Sequence, residues 1–330
     1  MRSRALPADD TRTVAVAGEC VVDLVTGEPG RPYLALPGGS PANVAVGLAR
    51  LGVPTRMIAR ISYDTYGRSL RDHLTGNGVD TETVVVARES SSVAFVHHDA
   101  DGVPTFDLRL DGTADWQWTE AEVAGLRLGR LSALHIGSLA LVMPPGADVL
   151  AGLARRVRDE ATISYDPNCR PAVMDGVPGA RPHIEALLRV ADVVKVSDAD
   201  LAWLRPDDDH EGFAGELIEA GVSVVAVTHG AAGSVVTGRR CPPRRVPAYR
   251  AGGVADTVGA GDSYMSAVLA GLAGRGLLGA DRRDALRSAE APVLAEIFDE
   301  AARAAALTCT RRGADPPTRE ELDAFHPSDA

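Results

Sequence analysis

Residues 256–262 read D-T-V-G-A-G-D and stand directly before a long apolar-periodic segment. Gly259, Ala260 and Gly261 allow a tight turn whose backbone N–H groups point outward together at a helix N-terminus, where unsatisfied donors and the helix dipole bind anions. A carboxylate at Asp262 would stand beside a bound phosphate and is a credible base for a hydroxyl attacking a phosphoryl group. The N–H groups would stabilise charge developing on the group in transfer. The same letters also describe an ordinary glycine turn with an acidic residue in a helix's first turn.

Three further stretches carry chemistry-bearing residues. Residues 37–43, P-G-G-S-P-A-N, place Gly38 and Gly39 where backbone can approach a ligand, and Asn43 can donate and accept toward a polyol. The plainer alternative is a glycine turn and a helix capped by Ser40 with Pro41 in its first position. Residues 166–170, D-P-N-C-R, end an apolar strand, and Asp166, Asn168 and Arg170 suit a hydroxylated, phosphate-bearing ligand; Asp-Pro-Asn alone is also a turn. Residues 227–233, V-T-H-G-A-A-G, form another strand end that could pass close to a nucleotide, or a plain β-turn.

Other chemistries are excluded. Lys195 is the only lysine of the chain and lies in V-V-K-V-S with no glycine-rich loop before it, so neither a Walker A loop nor a protein-kinase lysine is present. Any nucleotide is therefore handled another way. The first strand runs into Val21-Val22-Asp23 rather than G-x-G-x-x-G, which removes a dinucleotide oxidoreductase. Cys20, Cys169, Cys241 and Cys309 are far apart and read as reduced thiols, and no H-E-x-x-H marks a zinc site.

These residues need a scaffold, and the hydrophobic pattern describes one. Strands are expected at 14–18, 55–61, 83–87, 92–98, 103–109, 133–136, 162–166, 192–196, 224–228, 234–237 and 245–248. Helices are expected at 40–51, 66–74, 147–159, 181–190, 199–204, 213–220, 261–274 and 289–308. Residues 82–109 hold strands without intervening helices, with a turn at Asp101-Gly102, and read as an antiparallel excursion. The rest alternates, which predicts an α/β fold with a mostly parallel sheet covered on both faces and ligands at the strands' carboxyl ends. Asp207-Asp208-Asp209 reads as a solvated loop tip.

The 330 residues carry 34 basic and 45 acidic side chains, a net charge of −11 that speaks against nucleic acid and anionic membrane surfaces as partners. With 45% hydrophobic but only 4% aromatic residues, the core is built from Ala, Val and Leu. The longest apolar stretch, 131–143, is too short to cross a bilayer, and residues 1–13 lack the apolar region of a signal peptide, so a soluble, cytoplasmic protein is expected.

Taken in order, GGSPANVAVGLARLG, DPNCR, VTHGAAG and DTVGAGDSYMSAVLAGL resemble the ribokinase-like (phosphofructokinase-B) carbohydrate kinases, across nearly the whole chain. The resemblance implies one α/β domain over 14–322, with a flexible segment at 1–13, a tail at 323–330, and a β-sheet lid from 21–36 and 82–109 that covers the sugar and forms a homodimer contact. It implies that Asp262 is the base and Gly259, Ala260 and Gly261 the anion hole. Asp23, Gly38, Gly39, Asn43, Arg109, Asp166 and Arg170 fall to the sugar, and Lys195, Ser197, Thr228, Gly230 and Gly233 to the nucleotide. ATP with magnesium is the implied donor, with Asp200 toward magnesium, and Asp256 and the 312–314 turn toward potassium. G-G-S-P-A-N instead of G-G-K-G-A-N ranks fructose first as acceptor, ahead of ketodeoxygluconate, ribose or a nucleoside. A non-enzymatic sugar-binding relative is disfavoured by the intact G-A-G-D. The chain departs from the family's pattern at Ser62 for glycine, Asp200 for glutamate, Val258 for threonine and Leu108 for tyrosine.

Overall fold

The computed structural model describes residues 12–25, 32–98, 104–207, 210 and 212–327. The strands are β1 (Thr13–Ala17), β2 (Val21–Val25), β3 (Leu34–Gly38), β4 (Thr55–Ile58), β5 (Arg60–Ser62), β6 (Val85–Ala87), β7 (Val93–His98), β8 (Pro104–Arg109), β9 (Leu131–Gly137), β10 (Thr162–Asp166), β11 (Val193–Ser197), β12 (Val224–Thr228), β13 (Ser234–Gly238) and β14 (Cys241–Val246). An eight-stranded sheet runs β14-β13-β12-β11-β10-β9-β1-β4. It is parallel from β4 to β12, and β13 and β14 close it antiparallel. Burial of every residue of β9 and β10 explains their apolar runs, because helices cover both faces. From β1 the chain goes to β4 on one side and later to β9 on the other, so the crevice at their carboxyl ends is a topological switch point.

The helix Ala260–Gly274 is buried almost all round, as an element rich in Ala, Leu and Gly must be. The helices Ser40–Arg50 and Ala291–Thr308 pack on it. Gly47 lets the first approach closely, since a Cβ there would fall 2.7 Å from Ser266 Cβ. That contact brings the N-terminus of one helix over the N-terminus of the other.

A second sheet, β3-β2-β7-β8, stands apart from it where the lid was expected. Its outer pairs are antiparallel as expected, but β2 and β7 are parallel. Residues 85–87 do not belong to it; β6 pairs with β5 in a separate parallel ribbon. The single strand expected over 55–61 is therefore two, divided at Ala59, one in each sheet. The last strand falls at Cys241–Val246 rather than 245–248. Its two prolines and two arginines read as loop, yet they are what a sheet edge tolerates. Short helices at Glu120–Ala124, Arg283–Arg287 and Arg319–Ala324 were not expected. The Asp101-Gly102 turn, residues 1–11, the 26–31 part of the lid, Asp208-Asp209 and 328–330 lie outside the described residues. Among the described residues no helix is long and apolar enough to cross a membrane.

Asp115 lies between the two sheets, 2% exposed, accepting from Cys20 N–H at 2.8 Å and Ser92 Oγ at 2.5 Å. Burial pushes its carboxyl up from 3.8 to about 7, against the lowering by those bonds and with a further rise from Glu19. The protonated carboxyl therefore stabilises the fold at acid pH, and that contribution is lost as pH rises from about 4 through about 7. Asp115→Asn keeps the shape and cannot ionise, so its melting temperature is expected to fall less between pH 5 and pH 8 than the native protein's. Parallel melting curves for the two proteins would refute this.

Candidate active site

Asp262 sits in the first turn of Ala260–Gly274, 9% exposed. Its Oδ1 accepts from Ser40 Oγ at 2.6 Å and its Oδ2 from Asn43 Nδ2 at 2.8 Å. Both donors come from the start of Ser40–Arg50. Gly39, not Ser40, occupies the cap position there, and the Ser40 hydroxyl is spent on Asp262. Ser40 is thus a site residue that the local capping reading missed.

The turn ahead of Asp262 has the form its letters suggested. Gly259 is left-handed, φ 76°, and packs so tightly on Ala314 that a Cβ would lie 2.5 Å from Ala314 Cβ. Ala260 N–H donates to Thr257 O and Ser263 N–H to Gly259 O, while the N–H groups of Gly259, Gly261 and Asp262 have no acceptor among the described residues. This is a cradle of free donors at a half-buried helix N-terminus, which fits a phosphoryl group. Asp256 braces it: Oδ1 accepts from Val258 N–H at 3.0 Å and Oδ2 from Gly313 N–H at 2.9 Å. Val258 takes part through its backbone, so the departure from threonine leaves this brace intact.

Asp23, on β2, faces the same space. Burial pushes its carboxyl up to about 6, the Arg170 guanidinium opposes this, and Asp262 and Asp256 add to it. The structure thus brings Asp23, Arg170, Asp256 and Asp262 into one electrostatic neighbourhood. Gly38 lies against the Asp23 carboxylate with no room for a Cβ. Arg170 Nη1 donates to Cys169 O at 3.1 Å.

Two expected sugar contacts have protein partners of their own. Asp166 is wholly buried, accepting from Lys195 Nζ at 2.8 Å and Asn168 N–H at 3.2 Å. Burial pushes its carboxyl up to about 6, with Lys195 opposing. Arg109 is 62% exposed on β8, the outer strand of the small sheet, paired with Asp107 and 5.8 Å from the Phe95 ring centre.

On the other side of the turn, Ser197, Thr228, Gly230 and Gly233 stand at or just past the carboxyl ends of β11 and β12. Gly233 has φ 88° and is packed against Val246 O. Lys195 runs beneath the Gly259–Gly261 turn, and a Cβ at Gly261 would fall 3.0 Å from its Nζ. Asp200, expected toward magnesium, has both carboxylate oxygens engaged within the protein. Its Oδ1 accepts from Cys169 N–H at 2.6 Å, and its Oδ2 from Ser197 N–H and Oγ, both at 2.7 Å. It caps the helix Asp198–Leu204, and no group of three or more His, Cys, Asp or Glu among the described residues is arranged to hold a metal ion. Ser62, in place of the family's glycine, accepts from Asp64 N–H at 3.1 Å.

The model of the pfkB family carbohydrate kinases matches residues 12–321. A fructokinase of Rhizobium leguminosarum bv. trifolii is 33% identical over 78% of this chain and 79% of its own. A crystal structure of a Xylella fastidiosa fructokinase with bound ATP superposes with a TM-score of 0.84 at 26% identity, over 95% of this chain and 98% of that one. Aminoimidazole riboside kinase from Salmonella enterica, complexed with aminoimidazole riboside and an ATP analogue, gives 0.78 at 25% identity, over 94% and 99%.

Proposed function

Since this chain belongs to the pfkB family of carbohydrate kinases and is a sugar phosphotransferase, we propose that it transfers the γ-phosphoryl group of ATP to a primary hydroxyl of fructose. Asp262 takes the proton of that hydroxyl as its oxygen bonds to the γ-phosphorus. The bond from the γ-phosphorus to the bridging oxygen breaks, and ADP leaves with that electron pair. The observation that carries this reading is the pairing of a fixed carboxylate with free donors. Asp262 is held at both oxygens by Ser40 and Asn43 and adjoins the unpaired N–H groups of Gly259, Gly261 and Asp262. Ser40 and Asn43 aim the carboxylate, and the N–H groups meet the charge of the group in transfer.

Magnesium carried by the nucleotide would supply positive charge against its phosphates. Asp23, Asn43 and the Gly38–Gly39 backbone hold the sugar's other hydroxyls, with Arg170 offsetting the negative charge there. Thr228, Gly230 and Gly233 border the nucleotide. Asp256 and the 312–314 turn are the place for a potassium ion, which would add positive charge behind the anion hole. The lid closes over the sugar and excludes water, which competes as acceptor. Its exposed Tyr33 and Leu34 support a homodimer contact, and the enzyme works in the cytoplasm.

Fructose rests on the fructokinase relatives, and the riboside kinase neighbour shows that one fold takes other acceptors. The test is ADP release from MgATP with fructose, ketodeoxygluconate, ribose, tagatose, glucose and a nucleoside. Fructose is expected to give the highest kcat/KM. Turnover on another sugar alone discards fructose and keeps the chemistry. Absence of sugar-dependent turnover in folded, ATP-binding protein would discard the transfer itself.

A further inference from the structure

The lid joins the body through four chain crossings, and three of them converge on one carboxylate. Cys20 leads into β2, and its N–H donates to Asp115 Oδ1 at 2.8 Å. Ser92 leads into β7, and its Oγ donates to Asp115 Oδ2 at 2.5 Å. The chain leaving β8 passes through Thr113, whose Oγ1 lies 2.6 Å from Ser92 Oγ, and reaches Asp115 itself. The crossing out of β3 is Gly39, which lies so close to Glu19, next to Cys20, that a Cβ would fall 2.6 Å from Glu19 O. β2 and β7 are the two central strands of the lid sheet, and Val22 N–H donates to Ser92 O at 3.0 Å. Their roots are thus tied through one buried side chain.

The surrounding segments are tied to the body as well. Ser91 is held by Asp64, which caps the helix Thr65–Gly76. Ala114 O accepts from Arg60, whose guanidinium also pairs with Glu89 and Glu122. The ionisable neighbours of Asp115 are Glu19 and the Cys20 thiol, and the Asp115 charge acts to raise the thiol as Glu19 raises Asp115.

We propose that Asp115 is a positioning residue for phosphoryl transfer, fastening the roots of β2 and β7 to the body so that the closed lid keeps water from the acceptor site. This rests on the reading of the β3-β2-β7-β8 sheet as a cover for the sugar. Asp23 is carried on β2 only three residues from the fastened Cys20 amide, so a loosened root displaces a sugar contact as well. Asp115 is buried and acts through Cys20 and Ser92.

The test compares native protein, Asp115→Asn and Asp115→Ala. Three quantities are measured: sugar KM, the ratio of sugar-independent ADP release to sugar-dependent turnover, and amide hydrogen exchange across the whole chain. Asn can accept from Cys20 N–H and donate to Ser92 Oγ, so it is expected to keep native values. Ala is expected to raise sugar KM and the hydrolysis ratio each by about tenfold, the scale of a small misplacement of reacting groups. It should also speed exchange in β2 and β7 while β9–β12 stay protected. A native ratio in the folded Ala variant, or uniform loss of protection, overturns the proposal. Should Ala not fold, Ser92→Ala removes one of the two ties and is expected to raise the ratio about threefold; an unchanged ratio there is equally fatal. Native protein without turnover on any sugar would instead be a failure of the kinase reading, and the exchange pattern would still decide the fastening.

Discussion

Asp262→Asn is expected to lower kcat by about 100-fold to 10,000-fold, the range for loss of a positioned general base. The substitution is nearly isosteric. Its carbonyl still accepts from Ser40 Oγ, and only the Asn43 amide must turn to meet a donor instead of an acceptor. The fold should therefore survive, and the loss should appear equally in kcat and kcat/KM, as for an interaction made in the transition state. Coupled measurement of ADP release with saturating MgATP and sugar reads it directly. Native turnover in the variant would remove Asp262 from the mechanism.

Gly259→Ala is the second large effect, and it acts through the backbone. A residue with a Cβ at φ 76° is strained by about 1–2 kcal/mol. The added methyl would also meet Ala314 Cβ at 2.5 Å and Ala314 Cα at 2.7 Å. Overpacking of this kind costs about 1–3 kcal/mol. Relief requires the turn to move off the 312–314 segment, and that moves the free N–H groups. A loss of kcat of about 100-fold to 1,000-fold is expected, as when an oxyanion donor is removed, with a lower melting temperature. Full activity in the variant would show that the turn's conformation does not matter to transfer.

The anion turn was legible because its physics is local. Glycines and an acidic first-turn residue ahead of an apolar helix describe a donor cradle wherever they occur. The same holds for β9, β10 and β12, whose apolar runs report burial on both faces. Ser40 was read as a helix cap because that is its nearest use. Its actual partner is 222 residues away and is reached only through the packing at Gly47. Asp166 and Lys195 look like separate strand-end residues. They become an ion pair once Tyr165 is paired with Val194 in the β10–β11 register, which leaves the next residues side by side. The break at Ala59 carried no signal, since Thr55–Ile58 and Arg60–Ser62 are each acceptable strand and only the sheet they join differs. At β14 the composition pointed away from a strand because edge position, which excuses proline, is a property of the assembled sheet.

A chain whose single lysine is buried against Asp166 offers solvent no side-chain amine. Reagents that acylate amines, apart from reaction at the α-amino group, can therefore attack only after β11 has been exposed. Because β11 lies inside the eight-stranded sheet, that exposure requires large-scale opening rather than fraying. The gain of one acyl mass then counts opening events, at a rate set by the population of the open form when reclosing is fast. Bound nucleotide or sugar would slow this labelling in proportion to its occupancy, so that ligand affinities become readable from intact mass without any turnover.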